Sequence, residues 1–335
     1  MGNSSLTTYP LISVIIVNFN GERFIEDCLA SVLKTNYPNF EIVVVDNNSK
    51  DKSTKILKGF SVNPRVKIVS LNQNLHFAGG NNVGINCSKG KYLVFLNNDT
   101  IVSPNWLVEL RRSFDLSDDI YAVQCLLLKP NGKGIDSIGG TIDYCGKPIP
   151  VNYLWSQNET SAREHRLFYG CGAALAVRKT VLNDVGFFDP DLPTDEIDFC
   201  WRINLSGGKI IVAPRAVVYH FRSGAFGRKI DKKRVFFGDI GATSAILQNF
   251  ELWNIFAALP YVVAIFVTAV GYDLFVRRRL DLTVFRLKAC IHVLKNLRKI
   301  FRKRSNAQRY IRRVSDSELR KLMVRPNISY YFGSK

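Results

Sequence analysis

Apolar residues in the first third of the chain fall into short unbroken runs separated by stretches of helical period. Ile12 to Val17 is one such run, closed by Asn18-Phe19-Asn20-Gly21; Ile42 to Val45, Val66 to Leu71 and Tyr92 to Leu96 are the next three. Between the first two, Phe24, Ile25, Cys28, Leu29, Val32 and Leu33 recur at helical spacing over Glu22 to Leu33, and Pro38 follows. Strands that are apolar on both faces and alternate with helices predict an α/β fold, a parallel sheet covered on both sides. Ligands of such sheets bind at the carboxyl ends of the strands. Those ends carry Asn18, Asp46 and Asn97-Asn98-Asp99, polar residues directly after apolar runs.

Further along, Lys129 to Arg166 is rich in Gly, Pro and Asn, and predicts an irregular excursion facing an acceptor. Phe168 to Val177 predicts a strand, Asp195 to Leu205 a helix, Lys209 to Ala213 a strand and Val217 to His220 a short extended piece. Leu252 to Phe275 differs in kind: 24 residues, interrupted only by Asn254, Pro260 and Asp273, are long enough to cross a bilayer. Leu282 to Phe301 is amphipathic, with Lys and Arg on one face. The expected division is therefore a globular domain over 1–235, membrane-associated helices over 236–303 and a basic tail over 304–335.

Composition supports that division. Apolar residues make up 47% of the 335, enough for a sizeable core and against wholesale disorder. The formal net charge of +18 points to an anionic partner. Arg277 to Arg325 holds 17 Lys and Arg against Asp281, Asp316 and Glu318, so the excess sits in one block. Few aromatics interleave with it and an apolar segment adjoins it, which favours acidic lipid headgroups over nucleic acid. The seven cysteines are scattered and include no CxxC pair, which argues against a disulfide framework or zinc site. Met1 to Pro10 is polar and shows no secretory leader pattern.

Several residues are placed for chemistry. Asp46, within Val45-Asp46-Asn47-Asn48-Ser49, suits a base or ribose donor; its competing role is turn and cap formation. Asp99 suits a hard divalent cation, Mg²⁺ or Mn²⁺, with water and phosphate filling the other positions. Asp195-Glu196-Ile197-Asp198-Phe199-Cys200-Trp201-Arg202 places Asp195, Asp198 and Arg202 on one helix face; an acid here serves as a general base or simply complements the helix dipole. His220 ends an extended run. Gly79-Gly80-Asn81-Asn82-Val83-Gly84 lacks the spacing of a dinucleotide loop. A nucleotidyltransferase would want a basic glycine loop after the first strand, and none precedes Arg23.

Taken in order, these segments resemble the family 2 glycosyltransferases of GT-A fold, especially the rhamnosyltransferase-like and cell-surface polysaccharide branch. The carriers are Val14 to Gly21, Val45 to Ser49, Asn72 to Gly84, Leu96 to Asp99, Gly170-Cys171-Gly172-Ala173, Gly186 to Asp189, Asp195 to Arg202 and His220, spanning about residues 11 to 225. The resemblance implies an inverting transferase with a nucleotide-diphosphate sugar donor, a lipid-linked or cell-surface glycan acceptor and a divalent cation. It implies that Asn18, Asn20, Asp46, Asn48, Asn81 and Asn98 line the donor pocket, and that Asp99 and His220 hold the metal. Glu196 corresponds to the catalytic base, with Asp195 a competitor because the usual Glu-Asp order is swapped. Asp198, Trp201 and Arg202 would shape the acceptor side. The DxD-like element is reduced to Asn97-Asn98-Asp99. That reduction and the swapped acids also admit a binding protein that has kept the fold without turnover.

A single span over Leu252 to Phe275 would carry the basic block away from the catalytic domain, against the positive-inside tendency. The expected alternative is attachment to the cytoplasmic leaflet, either by a break at Pro260 or by Leu282 to Phe301 lying flat on acidic headgroups. Oligomeric state is left open.

Overall fold

The computed structural model describes residues 9–150, 166–192, 195–222, 232–327 and 331, the side chain of Asp195 excepted. The chain opens with β1 (Ile12–Asn18), α1 (Ile25–Leu33), β2 (Phe40–Asp46), α2 (Ser53–Phe60), β3 (Val66–Ser70), α3 (His76–Cys87), β4 (Tyr92–Asn97), β5 (Thr100–Val102) and α4 (Trp106–Asp115). It continues with β6 (Ile120–Leu128), β7 (Ile135–Ser137), β8 (Gly140–Ile142), β9 (Pro148–Pro150), β10 (Arg166–Leu167), β11 (Ala174–Arg178), α5 (Val181–Val185), α6 (Asp195–Leu205) and β12 (Lys209–His220). Helices α7 (Lys232–Asn249), α8 (Leu252–Gly271), α9 (Leu280–Lys295), α10 (Leu297–Asn306) and α11 (Asp316–Arg320) follow.

The main sheet runs β10-β12-β6-β11-β4-β1-β2-β3, with β5 on β12 and β7 on β6. Strands β1 to β4 pair in parallel, β11 lies antiparallel between β4 and β6, and β12 returns parallel to β6. The two-residue period of a strand explains its unbroken apolar runs. Ile15, Leu93, Phe95, Leu175 and Val177 point into one core, while Val14, Ile16, Val94, Leu96 and Ala176 point into the other. The second core is closed by α1 and α4 through Leu29, Val32, Trp106 and Phe114, and the first by α3, α5 and α6 through Ile85, Val181 and Phe199. Each fully buried branched side chain contributes roughly 1.5–3 kcal/mol.

Helix α3 shows why small residues recur after Asn74. A Cβ on Gly80 would meet the Val17 side chain at 2.7 Å, and one on Gly84 would meet Ile15 at 2.3 Å. The glycines are helical, and they let α3 lie close on β1.

The structure departs from the expected elements in four places. Phe168 to Val177 is not one strand: the turn at Gly170–Gly172 separates β10 from β11, because side chains there would strike Leu175, Gln124 and Phe77. Lys209 to His220 is one strand with an irregularity between Ala213 and Val217, around Pro214. Part of the excursion over Lys129 to Arg166 lies outside the described residues; the rest forms the short strands β7, β8 and β9.

The fourth departure is the C-terminal third. Helix α8 runs unbroken through Pro260, and a π-helical turn, Tyr272–Val276, continues it. The described part of the basic segment, residues 304–327, packs on the rest of the protein. Ala307, Ile311, Leu319 and Met323 belong to the same core as Ile15 and Phe95. Arg313 N donates to Leu205 O at 2.7 Å and Val324 N to Ile142 O at 3.0 Å. Much of the basic block pairs with acids distant in sequence: Lys303 with Asp189 and Asp191, Lys299 with Asp191, Arg313 with Asp184, and Arg286 with Asp239 and Asp273.

Candidate active site

Parallel strands β1, β2 and β4 bring Asn18, Asp46 and Asn97 to one edge of the sheet, since Asn18 registers with Asp46 and Val17 with Asn97. The Asn18 amide donates to Asp46 Oδ1 at 3.1 Å, Ser49 Oγ at 3.1 Å and Ser53 Oγ at 3.0 Å, while its carbonyl accepts from Asn98 Nδ2 at 2.9 Å. Ser49 also donates to Asp46 Oδ1 at 2.6 Å. Asn18 is fully buried and Asp46 nearly so. The Asn18 side chain therefore ties the strand-end loops together.

Gly21 sits against this network, where a Cβ would meet Asn98 Nδ2 at 2.2 Å and Asn18 Oδ1 at 2.3 Å. Asn20 and Asn48 flank it in the left-handed region, at φ 51° and 65°, a conformation asparagine tolerates better than most residues. Asn20 Oδ1 accepts from Lys50 N at 2.8 Å, and Asn48 Oδ1 accepts from Lys50 Nζ at 2.7 Å. Asn81 is buried inside α3 and donates to Phe77 O at 3.0 Å, so it faces the helix and not a pocket. Two asparagines that were not singled out do visible structural work. Asn47 fixes the start of α3 through Leu75 N and His76 O, and Asn82 exchanges two hydrogen bonds with Phe188.

Asp99 and His220 meet. Strand β5 pairs antiparallel with β12 so that Thr100 registers with His220. Asp99 Oδ1 then lies 3.4 Å from His220 Nε2, and both side chains are largely buried. The other ring nitrogen, Nδ1, lies 2.9 Å from Asp136 Oδ2. Asp136, on β7, is a third member that was not anticipated. It lies inside the Gly-rich excursion, with no motif to mark it, and reaches His220 only because β6 carries β7 and β12 together. Arg222 closes the group with an ion pair to Asp136. Burial opposes the charged imidazole, but hydrogen bonds to Asp136 and Asp99 outweigh it and raise His220 from 6.5 to about 9. Burial likewise opposes the Asp136 carboxylate, yet His220 and Arg222 leave it below the ordinary value.

Helix α6 carries the acids Asp195, Glu196 and Asp198. The Asp195 side chain lies outside the described residues. Glu196 is half-buried in the same neighbourhood as the histidine cluster. Burial pushes the Cys171 thiol up to about 11, a hydrogen bond from Ala173 N opposes this, the Glu196 and Asp136 carboxylates raise it further and Arg222 lowers it.

The remaining α6 residues turn inward. Asp198 accepts from Arg202 Nε at 2.8 Å and from Asn249 Nδ2 at 2.9 Å; Arg202 also binds the carbonyls of Val185 and Phe187. Trp201 is fully buried between Phe168 and Phe250, with ring centroids at 5.3 and 5.0 Å. The expectation that Asp198, Trp201 and Arg202 face an acceptor is corrected: they brace α6 from inside and hold Glu196 at its place.

Asp99 and His220 fit a divalent cation by donor chemistry. A carboxylate oxygen and an imidazole nitrogen face each other, and the second ring nitrogen is backed by a carboxylate, the outer-shell arrangement that orients metal-ligating histidines. Among the described residues no three His, Cys, Asp or Glu side chains form a ready cage. That suits an ion held by two protein groups plus phosphate oxygens and water.

The comparisons with known proteins bear on the family and the fold. An uncharacterized glycosyltransferase of Haemophilus influenzae is 33% identical over 115 residues, 34% of this chain and 36% of that one. The poly-beta-1,6-N-acetyl-D-glucosamine synthase of Staphylococcus epidermidis is 26% identical over 208 residues, 62% of this chain and 49% of that one. The chain thus spans half or less of the length of these two relatives. Among solved structures, Staphylococcus aureus TarS 1-349 in complex with UDP-GlcNAc has a TM-score of 0.57 at 18% identity, covering 83% of this chain and 79% of that one. A Pyrobaculum calidifontis mannosyltransferase in complex with GDP-Man and Mn²⁺ has a TM-score of 0.53 at 16% identity, covering 86% and 88%. These two show the shared GT-A fold. The profile of glycosyl transferase family 2 matches residues 13–186, from β1 to the end of α5 and more than half of the sequence, and the chain belongs to that family.

Proposed function

We propose that this protein transfers a sugar, with inversion, from a nucleotide-diphosphate donor to a lipid-linked or cell-surface glycan acceptor, on the cytoplasmic face of a membrane. The observation that carries the reading is the row Asp99, His220 and Asp136 at the sheet edge where α/β ligands bind. The strand-end loops around Asn20 and Asn48 offer backbone and amide groups to the nucleoside. Asp99 and His220 would hold Mg²⁺ or Mn²⁺, which when bound neutralises the charge of the departing diphosphate. Asp136 keeps the His220 ring oriented with Nε2 toward Asp99. Glu196 takes the proton from the acceptor hydroxyl as the new bond forms at the anomeric carbon, a role for one carboxylate in a single displacement. A lipid-linked acceptor is supported by the exposed apolar helix α8, which follows α7 directly; Asn249 at the end of α7 and Phe250 after it touch Asp198 and Trp201 of the helix that carries Glu196.

The test is donor turnover with Mn²⁺, using a panel of UDP, GDP and dTDP sugars. Glu196→Gln stops transfer and leaves donor affinity unchanged, because the amide keeps the shape and cannot accept the proton. Asp99→Asn removes stimulation by the metal. Wild-type rates from both variants would remove Glu196 and Asp99 from these roles, and no turnover by the wild-type chain across the panel would make a binding protein of the same fold the better reading.

A further inference from the structure

Helix α8 and its π-helical continuation, Leu252–Val276, form a segment of 25 residues; an 18-residue stretch within it has mean hydropathy 2.1, yet only 11% of that stretch is buried. Its buried positions follow a helical stripe: Ile255, Ala258, Val262, Ala269 and Asp273 face the protein, with Ile255 and Val262 packed on the main core. Side chains on other faces are strongly exposed, among them Trp253, Phe256, Leu259, Val263, Val267 and Phe275. Ile255 and Val262 seat the first half of the helix on the main core, and further along it meets the π-helical turn and α9.

Both ends are tied down. At the start, buried Asp316 accepts from Glu251 N and Asn254 Nδ2, each at 2.7 Å, and pairs with Arg312 at 2.9 Å. At the finish, fully buried Asp273 pairs with Arg277 and Arg286, each at 2.8 Å, and Arg286 reaches Asp239 of α7 at 2.9 Å. A perpendicular span would have to break one of these clamps and leave a buried charge without its partner, or draw the clamp into hydrocarbon.

We propose that α8 is an in-plane anchor: it lies along the surface of an anionic bilayer, outer face in the acyl boundary, with the catalytic unit on the same side as both its ends. The inference rests on the membrane reading above and sharpens it, since the arrangement is neither a span nor a break at Pro260. The neighbouring α9 supplies the complementary charge. Leu280, Val284, Leu287, Ile291 and Leu294 make an exposed stripe at spacings of three and four. Lys288, Lys295, Arg298 and Arg302 beside it are exposed and form no salt bridge with the described residues. An apolar stripe with basic flanks is the pattern of a helix that binds an anionic interface.

The test uses the full chain, with the exposed Cys290 replaced (Cys290→Ser), and single cysteines carrying a depth-sensitive fluorophore at Trp253→Cys, Val263→Cys or Phe275→Cys. Each is mixed with phosphatidylcholine vesicles, with or without phosphatidylglycerol, and quenched by lipids brominated at different depths. The in-plane anchor gives three similar, shallow depths and binding about tenfold weaker or more without phosphatidylglycerol. A central label far deeper than the two outer ones means a span and overturns the proposal. Binding indifferent to phosphatidylglycerol overturns the basic rim. Absence of vesicle binding, with a crosslink between two copies at Val263→Cys, assigns the face to a second copy of this chain. That result would sink the membrane reading while leaving donor turnover, and with it the transferase, intact.

Discussion

The Asp198–Arg202 pair separates a structural brace from an acceptor contact, and Asp198→Ala is the perturbation that tells them apart. Asp198 is 2% exposed and Arg202 9%. Removing the carboxylate strips Arg202 Nε of its partner at 2.8 Å and Asn249 Nδ2 of its partner at 2.9 Å. The guanidinium keeps two carbonyl partners, so it remains in place with an uncompensated charge. Breaking a buried pair from one side costs about 3–5 kcal/mol. The stranded Asn249 amide adds about 1–3 kcal/mol if it finds no water. Against a total stability of about 5–15 kcal/mol, the change is large. At about 2–4 °C per kcal/mol for a large domain, loss of the pair alone lowers the melting temperature by roughly 6–20 °C. Thermal unfolding followed by tryptophan fluorescence measures it, since Trp201 stacks on Phe250 beside the pair. In the brace reading, surviving folded protein retains a near-normal KM for the acceptor and loses kcat, as Glu196 drifts. A melting temperature within about 1 °C of wild type, with a raised acceptor KM, would refute the brace.

The remaining predictions concern pH and packing. His220 is raised to about 9 from 6.5, so its pairing with Asp136 and Asp99 contributes full stability below pH 6.5 and loses it as pH climbs through about 9. Melting temperatures of the metal-free protein should fall across that window, and those of His220→Gln should not; parallel curves would show that the pairing contributes nothing. Gly84→Ala forces a methyl to within 2.3 Å of Ile15. Overpacking costs about 1–3 kcal/mol, while alanine regains up to about 1 kcal/mol of helix propensity, so net destabilisation is expected by denaturant titration. A stabilised variant would mean that α3 can slide on β1.

Local patterns were enough for the sheet and for the row of strand-end polar residues. Four early strands, the helix from Asp195 and the positions of Asp46, Asp99 and His220 all follow from period and from what terminates a run, which are properties of neighbouring residues. The family resemblance added a metal role to His220 that its surroundings in sequence did not suggest. Which side chains face a ligand and which face a core was decided by the tertiary structure alone. Trp201 and Asp198 sit within two helical turns of Glu196, yet they point inward, because Asn249 at the end of α7 and Phe250 after it meet them. Asp136 has no sequence signature, and becomes important only where β7 and β12 share β6. The basic block looked like a solvated tail because counting charge along the chain omits acids such as Asp184, Asp189 and Asp239 that folding brings to it. The sequence determined that 252–276 is too apolar for water. Only the packed structure shows that both ends of this helix are tied down, Glu251 and Asn254 to Asp316 and Asp273 to Arg286, because pairing across sequence distance leaves no trace in a local pattern.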